Sequence, residues 1–544
     1  MLLTKAEMRR AMLGGAASLA GIIAFVGLAV LALLLSSGGS SILATVFEPY
    51  ILRILRFTLL QAVLSTALSI VFAIPVAQAL ARQRHFPGRI WIIRLMAVPM
   101  GLPVLIGALG LIGIWGRQGI MNSALLKFGL EEPVSIYGLS GILLAHVFFN
   151  MPLAARLMLA ALDRVPSEYW LMASGLGMRS GSTFRFIEWP VLRSVVPGIA
   201  GLIFMLCATS FTLVLMLGGG PAATTVEVAI YQSLRFDFDP GRAVTLSLFQ
   251  IVLTSMILGA LSLLPAPEDE GITVGKPVRR PDGRLPGARL ADSGVLLLAT
   301  LFLAFPLMSV VLAGLRSDLM KLLREPIFWQ SAATSLAISI SAAALALLIS
   351  MTLVSARRVA LLRGSGTFGR RLLFAAMGGA SSLVLLVPPI VLATGWFLAL
   401  RNLSDVSAVA PLLIVAINAL MSLPFVMRVL EPAFIVHKHR TQKLAASLGV
   451  TGWARLRLID TPALFKPVLT AFSFAMALSL GDLGAVALFG SDGFVTLPWL
   501  VYSRMGSYRT NDADGLALIL GVACLLLTIA GTMGPVRREV AVHG

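Results

Sequence analysis

The residues of this 544-residue chain that could do chemistry are few: 25 Asp and Glu, five His and two Cys. His85, His146, His437, His439 and His543 fall at no metal-ligand spacing, so no metal site is expected. His146, inside an apolar run, reads as a packed, hydrogen-bonded imidazole. His437 and His439 flank Lys438 in a basic segment and read as solvated or close to lipid phosphate. Cys207 and Cys524 both sit in apolar runs, which excludes a disulfide scaffold. No paired carboxylates and no nucleophile beside a base point to catalysis. The nearest approach to a phosphate cradle is Gly271-Ile272-Thr273-Val274-Gly275-Lys276-Pro277. A P-loop needs one more residue between its glycines, and a hydroxyl after the Lys to hold Mg²⁺. Neither is present. The sequence therefore predicts no catalytic residue and no cofactor bound by this chain.

Polar groups within apolar runs are the remaining candidates, because lipid makes each of them costly. Asp482 stands first, since a lone carboxylate in a membrane span must face protein or water. It either lines a pathway, accepts from N–H groups at a helix broken around Gly481 and Gly484, or pairs with a nearby cation. Asn150, Ser210 and Thr212, in the equivalent spans of the first half, are weaker pathway candidates, with helix packing as the competing role.

Membrane helices have to hold these groups. The chain is 58% hydrophobic and only 12% charged, with a mean hydropathy of +0.92. A soluble domain carries about 25% charged residues. The apolar excess must face lipid, which excludes a soluble enzyme or a disordered chain. Stretches near the ~20 residues needed to cross a bilayer lie at 12–35, 57–80, 94–116, 138–161, 194–217, 243–264, 292–314, 332–355, 372–399, 409–429, 467–488 and 515–533. The first is too long for a signal-peptide core of roughly 7–15 residues and reads as an anchored span.

The net charge of +18 maps orientation. With both termini in the cytoplasm, the 43 Lys and Arg divide 31 inside to 12 outside, while the acids divide 12 to 13. That is a strong positive-inside bias, and it removes the reason to expect a nucleic-acid partner. The acid-free loop with Arg357, Arg358, Arg363, Arg370 and Arg371 marks the cytoplasmic side most clearly.

The chain also repeats itself. Ala173-Ser174-Gly175-Leu176-Gly177, followed by Phe184, Ile187 and Pro190, matches Ala445-Ala446-Ser447-Leu448-Gly449, followed by Leu456, Ile459 and Pro462, at a shift of 272. Pro152 and Arg156 pair with Pro424 and Arg428 at the same shift. Gly219, Thr225 and Tyr231 pair with Gly490, Thr496 and Tyr502 at 271, Thr58 pairs with Thr334, and Pro103 and Gly110 pair with Pro388 and Gly395. Six spans per repeat is an even number, so both halves insert the same way. The expected fold is an all-α integral membrane protein of about twelve helices in two parallel six-helix repeats. Residues 1–264 form the first half and 292–544 the second. The Pro-rich segment 265–291 reads as a cytoplasmic linker.

The cytoplasmic segments 166–192 and 438–464 are too polar to span and too patterned to be slack. Each starts with a helix-compatible stretch (Ser167 to Leu176; Thr441 to Leu448), then a Gly able to end a helix in left-handed geometry, and a Pro before the next span. A short helix on the cytoplasmic face suits a partner's groove, the alternative being rest on lipid headgroups.

This pattern resembles the EAA loop of bacterial ABC-importer permeases, in which the loop is a coupling helix seated on the ATP-binding subunit. The Glu of that motif falls here at Leu171 and Lys443, so any ion pair it makes does not transfer. The resemblance assigns coupling to Ala173, Gly177, Arg179 and Pro190 in the first loop, and to Ala445, Gly449 and Pro462 in the second. From about residue 50 to 530 the chain is similar to the fused thiamine (thiamine pyrophosphate) permeases. The stretches that carry this include Tyr137-Gly138-Leu139, Ala145-His146-Val147-Phe148-Phe149-Asn150, Phe186-Ile187-Glu188-Trp189-Pro190, Leu217-Gly218-Gly219-Gly220-Pro221, Ser479-Leu480-Gly481-Asp482 and Gly506-Ser507-Tyr508-Arg509.

The resemblance implies a type I ABC importer permease in the bacterial inner membrane. Its partners would be two copies of a cytoplasmic ATPase, which carries ATP and Mg²⁺, and a periplasmic thiamine-binding protein. The Gly-rich outer loops 218–240 and 489–513, with Gly219, Tyr231, Gly490 and Tyr502, would then be docking surface or simple re-entry loops, and Asp482 would face the cationic thiazolium. A fused ferric-iron permease shares the architecture and is the alternative within the class. An ion-coupled secondary transporter would place more ionisable groups in its spans and leaves the paired loops unexplained, as does a non-transporting scaffold.

Overall fold

A computed structural model describes residues 5–36, 48–129, 131–263, 280–362, 376–377, 379, 384, 386–401, 406–448, 450, 452–490 and 494–532. The first half supplies α1 (Lys5–Ser36), α2 (Pro49–Arg82), α3 (Val104–Trp115), α4 (Leu139–Asp163), α5 (Ser167–Gly175), α6 (Trp189–Ala208), α7 (Thr212–Leu217), α8 (Val226–Arg235) and α9 (Pro240–Ser262). The second supplies α10 (Pro286–Arg316), α11 (Pro326–Leu362), α12 (Pro389–Leu400), α13 (Val406–Ser447), α14 (Thr461–Leu480), α15 (Gly484–Phe489), α16 (Leu497–Gly506) and α17 (Thr510–Thr532).

Among the described residues, eleven helices are long and apolar enough to cross a bilayer. The remaining expected span, 372–399, is represented by the shorter apolar α12. The third apolar helix of each half starts directly after a proline. Pro103 stands before α3 and Pro388 before α12, each in extended geometry, and a proline ring cannot continue the preceding turn. The expected span 94–116 is accordingly divided into Arg89–Leu95, Val98–Gly101 and α3.

The chain packs as two compact units: residues 33–325 with 498–519, and residues 1–32 with 326–497 and 520–544. These differ from the covalent halves because each half's first helix packs with the other half's helices. In the first unit α10 lies against α3, and a Cβ on Gly110 would stand 2.4 Å from the Pro306 carbonyl oxygen. In the second, a Cβ on Gly395 of α12 would stand 2.5 Å from the Ala29 carbonyl oxygen of α1. Only glycine permits a backbone to come this near. Gly110 and Gly395, matched by sequence, do the same work.

A second matched contact corrects one sequence pairing. The Thr58 hydroxyl, on α2, accepts from the Val226 N–H that opens α8 (3.1 Å). In the other unit the Ser335 hydroxyl accepts from the Leu497 N–H that opens α16 (2.8 Å). Thr334 is half-buried, and its hydroxyl donates to the Gln330 carbonyl of its own helix (2.8 Å). One residue along a helix turns a side chain by about 100°, so Ser335 is the equivalent of Thr58 and Thr334 is not.

Candidate functional site

The first of the two paired loops begins at Pro166, whose ring stops α4 and starts α5. Helix α5 ends in a Schellman arrangement: Met178 N–H donates to Ala173 O (2.9 Å) and Gly177 N–H to Ser174 O (3.0 Å). Gly177 sits at φ +66°, the left-handed geometry its position predicted. Ala173 and Trp170 face inward, while Tyr169, Leu171, Met172 and Leu176 are exposed. The outward face is therefore apolar at the position where the motif's Glu is missing. Arg179 is exposed, and Pro190 lies in the first turn of α6.

In the second loop the expected helical stretch Thr441 to Leu448 does not stand apart from the span before it. Position 438 is Lys where the first loop has Pro166, so α13 runs on to Ser447. Ala445 is buried like Ala173, and Val450 N–H donates to Ala445 O (3.0 Å), the same six-residue closure. Gly449 lies outside the described residues. Pro462 is exposed in the first turn of α14.

Sequence reading missed what lies beneath both loops. Each enters its next span through a five-residue π turn, Phe184–Glu188 and Leu456–Asp460, 272 positions apart. Each turn ends on a buried acid. Glu188 is fully buried, bonded by Arg280 of the linker (2.5 Å) and Gln78 (2.7 Å). Asp460 lies 2.8 Å from His437 Nε2 and 3.7 Å from Arg455. His437 is thus a buried partner of Asp460 rather than a solvated group, because the end of α13 brings it onto the π turn. The sequence signal available was an acid eleven residues beyond each loop glycine.

The candidate pathway residues gather where the next helix breaks. Helix α6 stops at Ala208 and α7 starts at Thr212; α14 stops at Leu480 and α15 starts at Gly484. Ser210 and Thr212 lie in and at the edge of the first break, half-buried. Asn150 is buried beside it and donates to Cys207 Sγ (3.3 Å), while Gln61 donates to Cys207 O (2.8 Å). His146 is packed and hydrogen-bonded, its Nδ1 2.8 Å from the Ser65 hydroxyl. In the second break the Asp482 carboxylate accepts from the N–H groups of Gly484 (3.2 Å) and Ala485 (3.3 Å). Of the alternatives open from sequence, the broken-helix N–H partners are present.

In the Gly-rich loops 218–240 and 489–513, Tyr231 is buried between Phe211 and Phe236, and Tyr502 is half-buried against Trp499. Gly219 is exposed at φ +70°, and Gly490 is buried at the end of α15. Two exposed rings in these loops were passed over by sequence reading. Phe238 (φ +51°) and Tyr508 (φ +61°) are 80% and 95% exposed, each two residues before the last helix of its half.

Comparison with known proteins agrees with this architecture. Residues 359–533 match the family described as "Binding-protein-dependent transport system inner membrane component". The chain is 50% identical over 527 residues to the thiamine transport system permease protein ThiP of Brucella abortus (strain 2308), covering 96% of each. It is 43% identical over 480 residues to ThiP of Escherichia coli (strain K12), 88% of each. The chain belongs to the ThiP family of transport permeases. It is also 35% identical to the ThiP protein of Haemophilus influenzae over 94% of each chain.

As a ThiP-family member the protein is a multi-pass inner-membrane permease and not an enzyme, and ATP is hydrolysed on a separate subunit. An ATPase and a substrate-binding protein are the partners this family implies. Family membership also fits the matched loops, helix breaks and exchanged first helices, since one chain carries two copies of each.

Proposed function

We propose that this chain imports thiamine, or its phosphates, delivered by a periplasmic thiamine-binding protein. The observation that carries the reading is identity of 50% and 43% along nearly the whole length to thiamine transport system permeases. Two ATPase subunits, each holding ATP and Mg²⁺, dock on the loops around Gly177 and Gly449, one loop from each covalent half. Both termini lie in the cytoplasm, as the Lys and Arg distribution favours. ATP-driven closure of the ATPases draws the loops together and reverses the access of the pathway. The break between α6 and α7, with Asn150, Ser210 and Thr212, and the break between α14 and α15, with Asp482, each serve as candidate pathway lining. The Asp482 carboxylate is suited to a thiazolium cation. The outer loops, including Gly219, Tyr231, Gly490 and Tyr502, form or brace the surface that receives the binding protein.

The test pairs association with uptake. Gly177→Arg combined with Gly449→Arg is expected to abolish co-purification with the ATPase and to stop labelled-thiamine uptake in cells that depend on it. Retained association together with undiminished, ATP-independent uptake would refute the reading.

A further inference from the structure

The end of the linker is built into the first coupling loop. Arg280 has a fully buried side chain that does three things at once. It bonds Glu188 at the foot of α6 (2.5 Å), bonds Asp282 (2.8 Å), and lies over the Trp170 ring of α5 with its guanidinium carbon 3.9 Å from the ring centre. Burial opposes the Arg280 charge, but the hydrogen bond and charge of Asp282 together with Glu188 outweigh it and hold the guanidinium above its ordinary range. Two residues on, the chain is fastened to the end of α2. Arg82 reaches Asp282 (3.4 Å), and Gln83 donates to the Gly283 carbonyl (3.1 Å). Arg82 and Gln83 also hold Asp292 in the first turns of α10 (3.1 and 2.9 Å). Ser180, just past Gly177, donates to the Asp282 carbonyl (3.3 Å).

Comparison of the halves shows why this is more than a packed loop. In the second half the buried acid has two partners from its own loop, His437 at 2.8 Å and Arg455 at 3.7 Å. At the matching positions, 272 earlier, the first half has Val165 and Thr183, neither of which can carry a charge. Glu188 therefore depends on the linker for its cation. A buried carboxylate without a partner is strongly disfavoured, so the first loop is complete only when residues 280–283 are seated.

We propose that the segment Arg280–Gly283 is a clasp that transmits the stroke of the first coupling helix, with Arg280 as its positioning residue. Motion of α5 reaches Arg280 through Trp170, passes to α6 through Glu188, and passes to α2 and α10 through Asp282, Arg82 and Asp292. The inference rests on the proposed ATP-driven transport and names how one of its two loops is wired. The linker is then part of the transmission and does more than join the halves.

The experiment measures thiamine moved per ATP hydrolysed in proteoliposomes holding the full chain with its ATPase and binding protein. Arg280→Gln is expected to keep the complex assembled while lowering that ratio at least tenfold. The double variant Arg280→Gln with Glu188→Gln removes both buried charges, so it folds without an orphaned ion. It is expected to assemble as the unmodified protein does and still show the lowered ratio. If either assembled variant keeps the unmodified ratio, the pair only solves a burial problem and the clasp is overturned. If the unmodified chain moves no thiamine on ATP, the transport reading itself fails and the clasp falls with it. The unmodified control separates the two failures.

Discussion

Phe238 and Tyr508 hold left-handed backbone geometry at matched places, 270 positions apart, and both rings stand in the open. Tyr508 stands two residues past Gly506, the end of α16, at the position where Gly ordinarily sits, since Arg509 N–H closes back on Arg504 O (2.9 Å). A side chain there costs about 1 kcal/mol relative to Gly. Strain of this kind persists where it serves a purpose. Tyr508→Gly and Phe238→Gly are expected to raise thermal stability slightly in detergent while weakening stimulation of the ATPase by the binding protein several-fold. Unchanged stimulation in both variants would remove the rings from the docking surface.

Gly177 separates backbone strain from simple loss of space. Gly177→Ala places a Cβ in left-handed geometry and is expected to destabilise the end of α5 by about 1–2 kcal/mol, reducing ATPase recovery in pull-down. Gly175→Ala, on the same helix with open space around it and no left-handed requirement, is the control. It should match or slightly exceed the unmodified protein.

The two close helix crossings make a second paired test. Gly110→Ala and Gly395→Ala each drive a methyl into a carbonyl of the crossing helix, and each is expected to cost about 1–3 kcal/mol. Gly259→Ala meets nothing within 4 Å and should leave the melting temperature in detergent unchanged. Equal melting of all three variants would mean that the exchanged first helices are not held at these points.

Asp482 needs two substitutions because it both caps a helix and carries a charge. Asp482→Asn keeps one oxygen for the N–H groups that open α15 and removes the charge together with the second acceptor. Uptake should fall while assembly with the ATPase is retained. Asp482→Ala also loses the cap, worth about 1 kcal/mol, and should lower stability as well. Wild-type transport by the Asn variant would take the carboxylate out of the pathway.

The spans and the Gly177 turn were legible because each follows from a local rule: apolar length, or a residue without a Cβ. The second loop was misread as a separate helix because a helix stops at Pro166 and continues through Lys438, a single-residue difference that the shared pattern hides. Ser335 was passed over for Thr334 because matching residue type ignores which side of a helix each faces. The π turns leave no periodicity to find, and Glu188 is separated by 92 residues from the arginine that completes it. His437 looked solvated among basic neighbours because its partner, Asp460, comes from the following turn. Asp482 stood out by its oddity within an apolar run, and backbone donors at a helix broken near Gly484 were one of the three alternatives left open for it.

The central claim is that this chain carries thiamine inward at the expense of ATP hydrolysed by a partner. Labelled thiamine uptake into proteoliposomes containing the chain, its ATPase and its binding protein tests it most directly. Accumulation should require all three proteins and ATP on the ATPase side, and excess unlabelled thiamine should abolish it. Thiamine uptake that proceeds undiminished without ATP, or ATP-driven uptake that ignores thiamine and follows ferric iron instead, would contradict the account.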